Sequence, residues 1–243
     1  MDKRDILVWL NSITGLAGVR TDAILSYFES PADIVSADED QLARVKGIGS
    51  TLARNIKTSD PQEFLSREYE AASKRNIRII TIDDPEYPVS LASIHDPPHV
   101  LYVKGEIRKE DVIAVAVVGA RRCSMYGRTQ AEKISRHLCR YGVTVVSGCA
   151  VGIDAAAHNS VLKQGGRTIG VVGSGLLRPY PRQNRELMER IASNGALVSE
   201  FHLNQNVERG NFVRRNRVIS GLALGVVVVE AAKRSGALIT AQY

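Results

Sequence analysis

The sequence predicts an α/β fold, a doubly wound parallel sheet preceded by a small all-α domain. From Val112 onward, apolar runs alternate with amphipathic runs, the order expected of strands and helices in successive β–α–β units. Two of the apolar runs, "VIAVAVVG" and "LALGVVVVE", are continuous and rich in valine, which is typical of strands buried on both faces of a sheet. Before residue 61, short segments with helical spacing are separated by polar turns instead.

The small all-α domain is predicted to span residues 1–60. In "DILVWLNSI" the apolar residues recur at helical spacing. Ser30 precedes Pro31, and Ser36 precedes an acidic run. Both serines are predicted as helix N-caps, because their side-chain oxygens can accept hydrogen bonds from the first free amides of a helix.

The segment "QLARVKGIGSTLARNI" predicts a helix ending at Lys46, a tight Gly-Ile-Gly turn, and a second helix starting near Ser50. This pattern resembles the helix-hairpin-helix, a motif that binds phosphate backbones without sequence preference. An ordinary αα-hairpin with glycine at its bend explains the same residues. The acidic residues around the turn favour that simpler interpretation.

Residues 61–111 are predicted as a connector that leads into the sheet domain. They contain a helix, a short strand in "NIRIITIDD", and a proline-rich stretch that then becomes extended. The sheet domain itself is predicted over residues 112–243. Its predicted strands are Val112–Gly119, Thr144–Ser147, Arg167–Gly173, Ala196–Ser199 and Leu224–Val229.

Charge is distributed unevenly along the chain. Residues 1–111 carry 14 Lys and Arg against 19 Asp and Glu, whereas residues 112–243 carry 18 against 7. The basic second half favours a polyanionic partner over a merely solvated surface. No apolar run is long enough to predict a membrane span. Three cysteines without C-x-x-C spacing argue against disulfides and a zinc site, and they indicate a reducing, cytoplasmic location.

Most of the basic residues of the second half lie in the segments that follow the predicted strands. Because the C-terminal ends of parallel strands meet at one edge of a sheet, these segments are expected to face the same ligand-binding edge. Glycines there expose backbone amides, and Tyr126, Tyr180 and Phe212 interleave with the cations, as in single-stranded nucleic-acid sites. The cations at this edge are Arg121, Arg122, Arg128, Arg178, Arg182, Arg209, Arg214, Arg215, Arg217, Lys233 and Arg234.

The sequence predicts no catalytic centre at this edge. Glu200 and Glu230 end strands and are expected to approach the edge, but no His or Cys is spaced with them as a nucleophile or base. Asp154 is predicted to cap the helix that follows "SGCAVGI", and His158 to be a packing residue of that helix. We therefore expect no enzymatic activity, no cofactor and no metal.

Several blocks of the predicted sheet domain resemble one protein family. "VVGARR" is similar to its G-[SA]-R motif, and "SGCAVGIDAAAH" to its S-G-x-A-x-G-I-D-x-x-A-H motif. "YPRQN", "SEF", "NFVRRNRVISGLA" and "SGALITA" fit its later blocks in order. Together these blocks resemble the DNA-processing protein A family (DprA, also called Smf). The resemblance implies a Rossmann-like sheet domain behind a SAM-like or helix-hairpin-helix-like helical domain.

The resemblance also implies a function and a set of site residues. The family binds single-stranded DNA, protects incoming DNA and loads the RecA recombinase onto it during natural transformation, and its full-length members are homodimers. In the mechanism that this implies, arginines hold phosphates, amides near two glycines assist, and an aromatic ring stacks on a base. Carried over by position, the DNA-binding residues are Gly119, Arg121, Gly148, Arg209, Phe212, Arg214, Arg215 and Arg217.

Two features depart from the family pattern. Val213 stands where the family usually has proline. The family also continues with further sheet and helix beyond the position of Tyr243, so the resemblance implies a sheet domain that is incomplete at its C-terminus. Two alternatives stay open. One is a Rossmann-like nucleotide-processing enzyme of the phosphoribohydrolase type that uses Glu200 and Glu230. In the other, the N-terminal helices make the main DNA contact.

Overall fold

The computed structural model describes residues 1–16, 18–233 and 235–243. Arg234, one of the cations predicted at the sheet edge, lies outside the described residues. The chain begins with short helices: α1 (Lys3–Leu10), α2 (Val19–Tyr27), α3 (Pro31–Ser36), α4 (Glu39–Ala43), α5 (Ser50–Thr58) and the longer α6 (Pro61–Lys74). No helix in these ranges is both long enough and apolar enough to cross a membrane.

Two helix starts show how local polar residues set these boundaries. Ser30 is the N-cap of α3, as predicted, and its hydroxyl accepts a hydrogen bond from the Asp33 amide at 3.3 Å. Ser36 is not an N-cap but the last residue of α3. Asp38 caps α4 instead, because it forms a reciprocal capping box with Gln41.

The second part of the chain supplies the sheet and its covering helices. The strands are β1 (Ile77–Thr81), β2 (Val100–Gly105), β3 (Ala114–Gly119), β4 (Thr144–Ser147), β5 (Thr168–Val171), β6 (Ala196–Ser199) and β7 (Val226–Val229). The helices are α7 (Val89–Ala92), α8 (Met125–Arg140), α9 (Ile153–Leu162), α10 (Arg185–Asn194), α11 (Arg209–Gly221) and α12 (Gly236–Gln242). Short 3₁₀ turns lie at Lys109–Val112 and Arg182–Asn184.

The described strands form one mixed sheet in the order β1-β2-β6-β5-β4-β3-β7. Strands β6, β5, β4, β3 and β7 pair in parallel, whereas β2 is antiparallel to both β1 and β6. The prediction of a Rossmann-like α/β fold with a helical N-terminal part is confirmed. The two strands of residues 61–111 belong to this same sheet, and the boundaries at residues 60 and 111 stay predictions.

Apolar side chains fill both faces of the sheet. On one face, Val117 and Val145 pack against α8 and α9, mainly through Ala131 and Val161. On the other face, residues of β2 to β6 pack against Val218 and Ile219 of α11 and against Leu222, which directly follows that helix. Because the central strands are covered on both sides, their sequences need not alternate between apolar and polar residues, which explains the valine runs.

The helical N-terminal part packs directly on the sheet domain. Its buried residues form one apolar cluster with residues of β1, β2 and α10. Polar contacts accompany this packing, and two of them reach the segment after β6. The Asn11 side-chain amide donates to the Glu200 carbonyl at 2.9 Å, and the Leu203 amide donates to the Glu68 carboxylate at 2.7 Å. These contacts hold the helices against the segment that follows β6.

The order of the parallel strands places a crevice between β3 and β7. The chain runs outward from β3 through β4 and β5 to β6, then returns through α11 to pair β7 on the other side of β3. In open parallel sheets of this kind, ligands bind beyond the C-terminal strand ends at the point where the strand order reverses. The β3–β7 position is therefore where a functional site is expected.

Candidate nucleic-acid-binding site

A cavity of about 620 Å³ opens at the reversal point between β3 and β7. Its walls come from segments that are distant in sequence: the end of β3, the start of α9, the start of α11 and the start of α12. Its polar and aromatic lining includes Arg121, Asp154, Tyr180, Arg209, Phe212, Arg215, Asn216, Ser235 and Thr240. The predicted convergence of several loops on one edge thus has a structural counterpart.

Arg121 and Phe212 form the centre of the open wall. Arg121 follows β3, and its guanidinium carbon lies 5.3 Å from the centroid of the Phe212 ring. The Tyr180 ring also contacts Phe212, with its centroid 5.7 Å from that of Phe212 and a tilt of 54° between the ring planes. A cation beside an aromatic ring holds both groups in place, while the exposed Arg121 keeps donors for a ligand.

Arg209 supplies a second exposed cation on the same cavity. It is the first residue of α11 and lines the cavity together with Arg121. Neither arginine is in an ion pair with an Asp or Glu among the described residues. Two cations without carboxylate partners beside an aromatic pair can hold phosphates of a strand while a base stacks on a ring.

Two buried residues of opposite charge, Asp154 and Arg215, lie in the floor of the cavity. Asp154 does not cap α9 as predicted; the N-cap is Gly152, and the Asp154 carboxylate accepts from the Ala150 amide at 3.3 Å. Burial raises the pKa of Asp154, and this rise is opposed by Arg215 and by the Ala150, Gly119 and Gly148 amides. These amides therefore serve the protein's own carboxylate.

Arg215 is held under the cavity by a hydrogen bond to the backbone. Its guanidinium donates to the Val171 carbonyl at 2.7 Å and is almost fully buried. A side chain at Gly148 would come within 1.9 Å of the same guanidinium, so only glycine leaves room for it. Gly119 is constrained in a similar way, because a side chain there would meet the Val229 carbonyl of the neighbouring strand. Both glycines thus allow close packing beneath the site.

A second buried ion cluster lies on another side of α11. Glu200 is 1% exposed, and its carboxylate contacts Arg217 at 2.5 Å and Arg214 at 2.9 Å. Arg217 also donates to the Asp96 carbonyl at 2.6 Å, and the Arg214 guanidinium lies 5.4 Å from the centroid of the Phe201 ring. Because these arginines are engaged by a buried carboxylate, they stabilise the loop after β6.

Glu230, the other carboxylate considered for catalysis, is also engaged. It accepts hydrogen bonds from the amide and the hydroxyl of Ser124 at 2.9 and 2.8 Å. Ser124 is in turn the N-cap of α8. Glu230 therefore fixes the loop between β3 and α8, which carries Arg121, and Glu200 and Glu230 are both occupied by contacts within the protein.

The buried thiol and imidazole near the site have strongly shifted pKa values. Burial raises the pKa of Cys149 to about 12. Burial and the positive charge of Arg215 lower the pKa of His158 to about 3. The His158 ring is hydrogen-bonded to the Thr168 hydroxyl at 2.7 Å, which agrees with its predicted role in packing. In the ranges that the structure describes, no group of His, Cys, Asp and Glu side chains could hold a metal ion.

The structure divides the predicted DNA-binding residues into two groups. Arg121, Arg209 and Phe212 converge on the open cavity, with Gly119 at its wall and Gly148 beneath it. The structure does not bring the other three arginines to the open wall. Arg215 lies in the floor, and Arg217 and Arg214 are tied to Glu200. The amides of Gly119 and Gly148, expected to assist with phosphate, also lower the pKa of the Asp154 carboxyl, and the Ala150 amide donates to it.

Sequence reasoning missed part of the cavity. Tyr180 was noted as an aromatic of this edge but was not assigned to the site, although it contacts Phe212. Ser235 and Thr240 lie in the "SGALITA" block, which matched a motif without a stated role, and both line the cavity. Tyr126 is 74% exposed and is not among the lining residues.

Comparisons with known proteins agree with this architecture. The family model of DNA recombination-mediator protein A matches residues 78–243. A model of a SAM-like helix-hairpin-helix tandem matches residues 10–59, so the Gly-Ile-Gly turn belongs to a helix-hairpin-helix rather than to an ordinary hairpin.

One curated relative and two solved structures show how far the similarity extends. Protein Smf from Synechocystis is 40% identical over 98% of this chain, which spans 60% of that relative's length. The crystal structure of DNA processing protein A from Streptococcus pneumoniae superposes with a TM-score of 0.82 at 32% identity, over 100% of this chain and 83% of that one. A structure of DNA processing protein A from Helicobacter pylori, described for its single-stranded DNA binding mode, superposes with a TM-score of 0.60 at 28% identity. The match covers 68% of this chain and 75% of that one.

Proposed function

Because this chain belongs to the DNA recombination-mediator protein A family, we propose that it binds single-stranded DNA in the cavity between β3 and β7. One observation carries the proposal: two exposed arginines, Arg121 and Arg209, converge with the Phe212 ring on a cavity at the reversal point of the sheet. The similarity to the Helicobacter pylori protein described for single-stranded DNA binding supports the choice of ligand.

In this proposal the two arginines hold neighbouring phosphates and the aromatic pair receives a base. Guanidinium groups suit phosphate oxygens because they donate in a planar fork. Phe212 and Tyr180 offer a stacking surface that any base can use, so the binding has little sequence preference. Arg215 and Asp154 support the site from below, and Arg214 and Arg217 fix the loop after β6.

The wider role proposed for the protein is protection of incoming DNA and loading of the RecA recombinase in natural transformation. This role rests on the family, since the chain spans 60% of the length of its Smf relative. Homodimer formation and contact with RecA are proposed for the whole protein on the same ground. Such a role would be exercised in the cytoplasm, by binding and without catalysis.

The nucleotide-processing alternative needs a free carboxylate poised over a ribose. Glu200 is buried between two arginines, and Glu230 is hydrogen-bonded to Ser124. Neither group is placed to act on a ligand in the cavity. These contacts support a binding protein over a phosphoribohydrolase-like enzyme, and a hydrolysis assay with common nucleoside monophosphates, expected to show no turnover, tests that choice separately.

The direct test is fluorescence anisotropy with labelled single- and double-stranded oligonucleotides at two salt concentrations. We expect Arg121→Ala and Arg209→Ala each to weaken single-strand binding by about 10- to 100-fold, as for loss of a charged hydrogen bond. Each variant should also reduce the slope of log affinity against log salt by about 0.7, because one phosphate contact is lost.

Arg44→Ala is the matched control, since Arg44 is exposed on the helical part and is not in an ion pair with any described Asp or Glu. It should change affinity less than twofold. Wild-type binding that does not depend on salt, or equal losses in all three variants, would contradict the proposed site. A loss in the control as large as that of Arg121→Ala would instead favour the N-terminal helices as the main contact.

A further inference from the structure

A second basic surface lies away from the cavity, between the C-terminal halves of α8 and α9. The two helices pack side by side on one face of the sheet and leave a groove of about 220 Å³ between them. Arg136, Arg140 and Lys163 line this groove, together with one carboxylate, Glu132. Among the described residues, none of the three cations is within ion-pair distance of an Asp or Glu. The groove therefore has unneutralised positive charge.

The cations of α8 continue toward the cavity. Arg128, Glu132, Arg136 and Arg140 follow one another at intervals of four residues, so the three arginines lie on one ridge of α8 with a single carboxylate between them. The row covers about 18 Å, given a rise of 1.5 Å per residue. Arg128, at the N-terminal end of this row, lies in the first turn of α8. The preceding loop carries Arg121 and is fixed by the hydrogen bond between Ser124 and Glu230. The basic row and the cavity are thus joined through one short loop.

We propose that the row of Arg128, Arg136 and Arg140 with Lys163, here called the α8 stripe, is a second contact for the sugar–phosphate backbone of nucleic acid. The inference rests on the proposed function, since it extends the path of the strand that the cavity binds. At a spacing of ~3.4 Å per nucleotide of a stacked strand, the stripe matches about five nucleotides. Tyr141, 83% exposed at the end of α8, offers a stacking surface at the far end.

The composition of the groove favours nucleic acid over an acidic protein as the partner. Every side chain that lines the groove is polar or charged: Glu132, Arg136, Arg140, Asn159, Ser160, Lys163 and Gln164. Protein interfaces bury an apolar and aromatic centre inside a polar rim, and this lining has no such centre. A flexible polyanion needs only repeated cations and hydrogen-bond donors along its path, which the stripe provides.

The test compares two oligonucleotide lengths on the full chain. The variant is Arg136→Gln, Arg140→Gln and Lys163→Gln combined, which removes three charges but keeps long polar side chains. Anisotropy is measured with oligothymidylates of about 6 and about 20 nucleotides, which bracket the usual size of one single-strand site. We expect affinity for the long strand to fall roughly tenfold and its salt slope by about 2, with less than a twofold change for the short strand.

The control removes three exposed cations that lie outside the helix-hairpin-helix segment and outside both basic sites, Lys74→Gln, Arg75→Gln and Lys109→Gln, and gives the same change in net charge. The control variant should bind both the long and the short oligonucleotide with affinities within twofold of wild type. The inference is overturned if both oligonucleotides bind the stripe variant as tightly as they bind wild type; an acidic protein would then be the better candidate partner for the stripe. It is also overturned if the control variant loses as much affinity for the long oligonucleotide as the stripe variant does. Failure of the wild type to bind either oligonucleotide would sink the proposed function itself, so the two failures are distinguishable.

Discussion

Two sides of helix α11 use the same residue type for opposite purposes. At its start, Arg209 and Phe212 face the open cavity, where the cation has no acidic partner among the described residues. A few residues further along the helix, Arg217 is almost fully buried and is paired with Glu200. The difference shows that neighbouring arginines of one motif can lie in different environments, some exposed to a ligand and some buried. A carboxylate that the fold brings close determines which arginine stabilises the protein and which remains free for a ligand.

The largest expected effect comes from breaking the buried side. Arg217→Met should lower the free energy of unfolding by roughly 3 kcal/mol and Tm by about 9 °C, because Glu200 stays buried with only Arg214 beside it. Thermal and denaturant unfolding measure the change. Arg209→Met is the matched control on the open side of the same helix. It should change stability by less than about 0.5 kcal/mol while it weakens DNA binding. Equal stability losses in the two variants would show that the two sides do not differ.

A smaller effect is expected from the aromatic ring on the open side. Phe212→Leu should weaken single-strand binding by about tenfold, because a base loses its stacking surface and Arg121 loses the ring beside it. Phe212→Trp keeps an aromatic face and should bind nearly as well as wild type. Anisotropy measurements at fixed salt compare the two. If leucine and tryptophan bind equally well, Phe212 only fills space in the cavity.

The last expected effect appears only below pH 6.5 and is a pH dependence of stability that comes from the buried His158. His158 has a pKa of about 3 in the folded protein, below its ordinary value of 6.5, because of burial and the nearby Arg215. The unfolded chain therefore binds a proton more readily, so stability is lost as pH falls from 6.5 toward 3. The slope contributed by His158 approaches 1.4 kcal/mol per pH unit.

His158→Gln removes this titration and should flatten the dependence of unfolding free energy on pH below 6.5. Denaturant unfolding of both proteins at several pH values gives the comparison. Only the difference in slope matters, since the substitution also changes the hydrogen bond to Thr168. Parallel slopes would mean that His158 accepts a proton as easily in the folded protein as in the unfolded chain.

Much of the fold could be predicted because local patterns determine it. The strands at 144–147 and 196–199 agree with the prediction at both ends. Strand β3 starts at Ala114 rather than Val112, because Lys109–Val112 form a 3₁₀ turn. The pairing of β2 with β6 was not predicted, since it joins segments about a hundred residues apart and has no local signal.

The site was less predictable because its division into open and buried residues depends on distant partners. Nothing in "NFVRRNRV" indicates that Glu200 and Asp96 will meet Arg217, since they come from other segments of the chain. The role of Asp154 was missed for a related reason. A local cap and a long-range partner such as Arg215 require the same residue type, and only the fold distinguishes them.

The position of Asp154 has a consequence for selectivity against small metabolites. Nucleotide-binding proteins of this architecture seat a phosphate on backbone amides at the start of a helix. Here the Ala150 amide already donates to an internal carboxylate, that of Asp154, and the neighbouring Gly119 and Gly148 amides favour its charged form. A free nucleotide therefore finds few unoccupied amides for its phosphate in this cavity. A DNA strand, which can contact several separated cations at once, should bind more tightly than a single nucleotide. We expect ATP to displace a bound oligonucleotide poorly in a competition titration. Efficient displacement would mean that a phosphate can replace the Asp154 carboxylate at these amides.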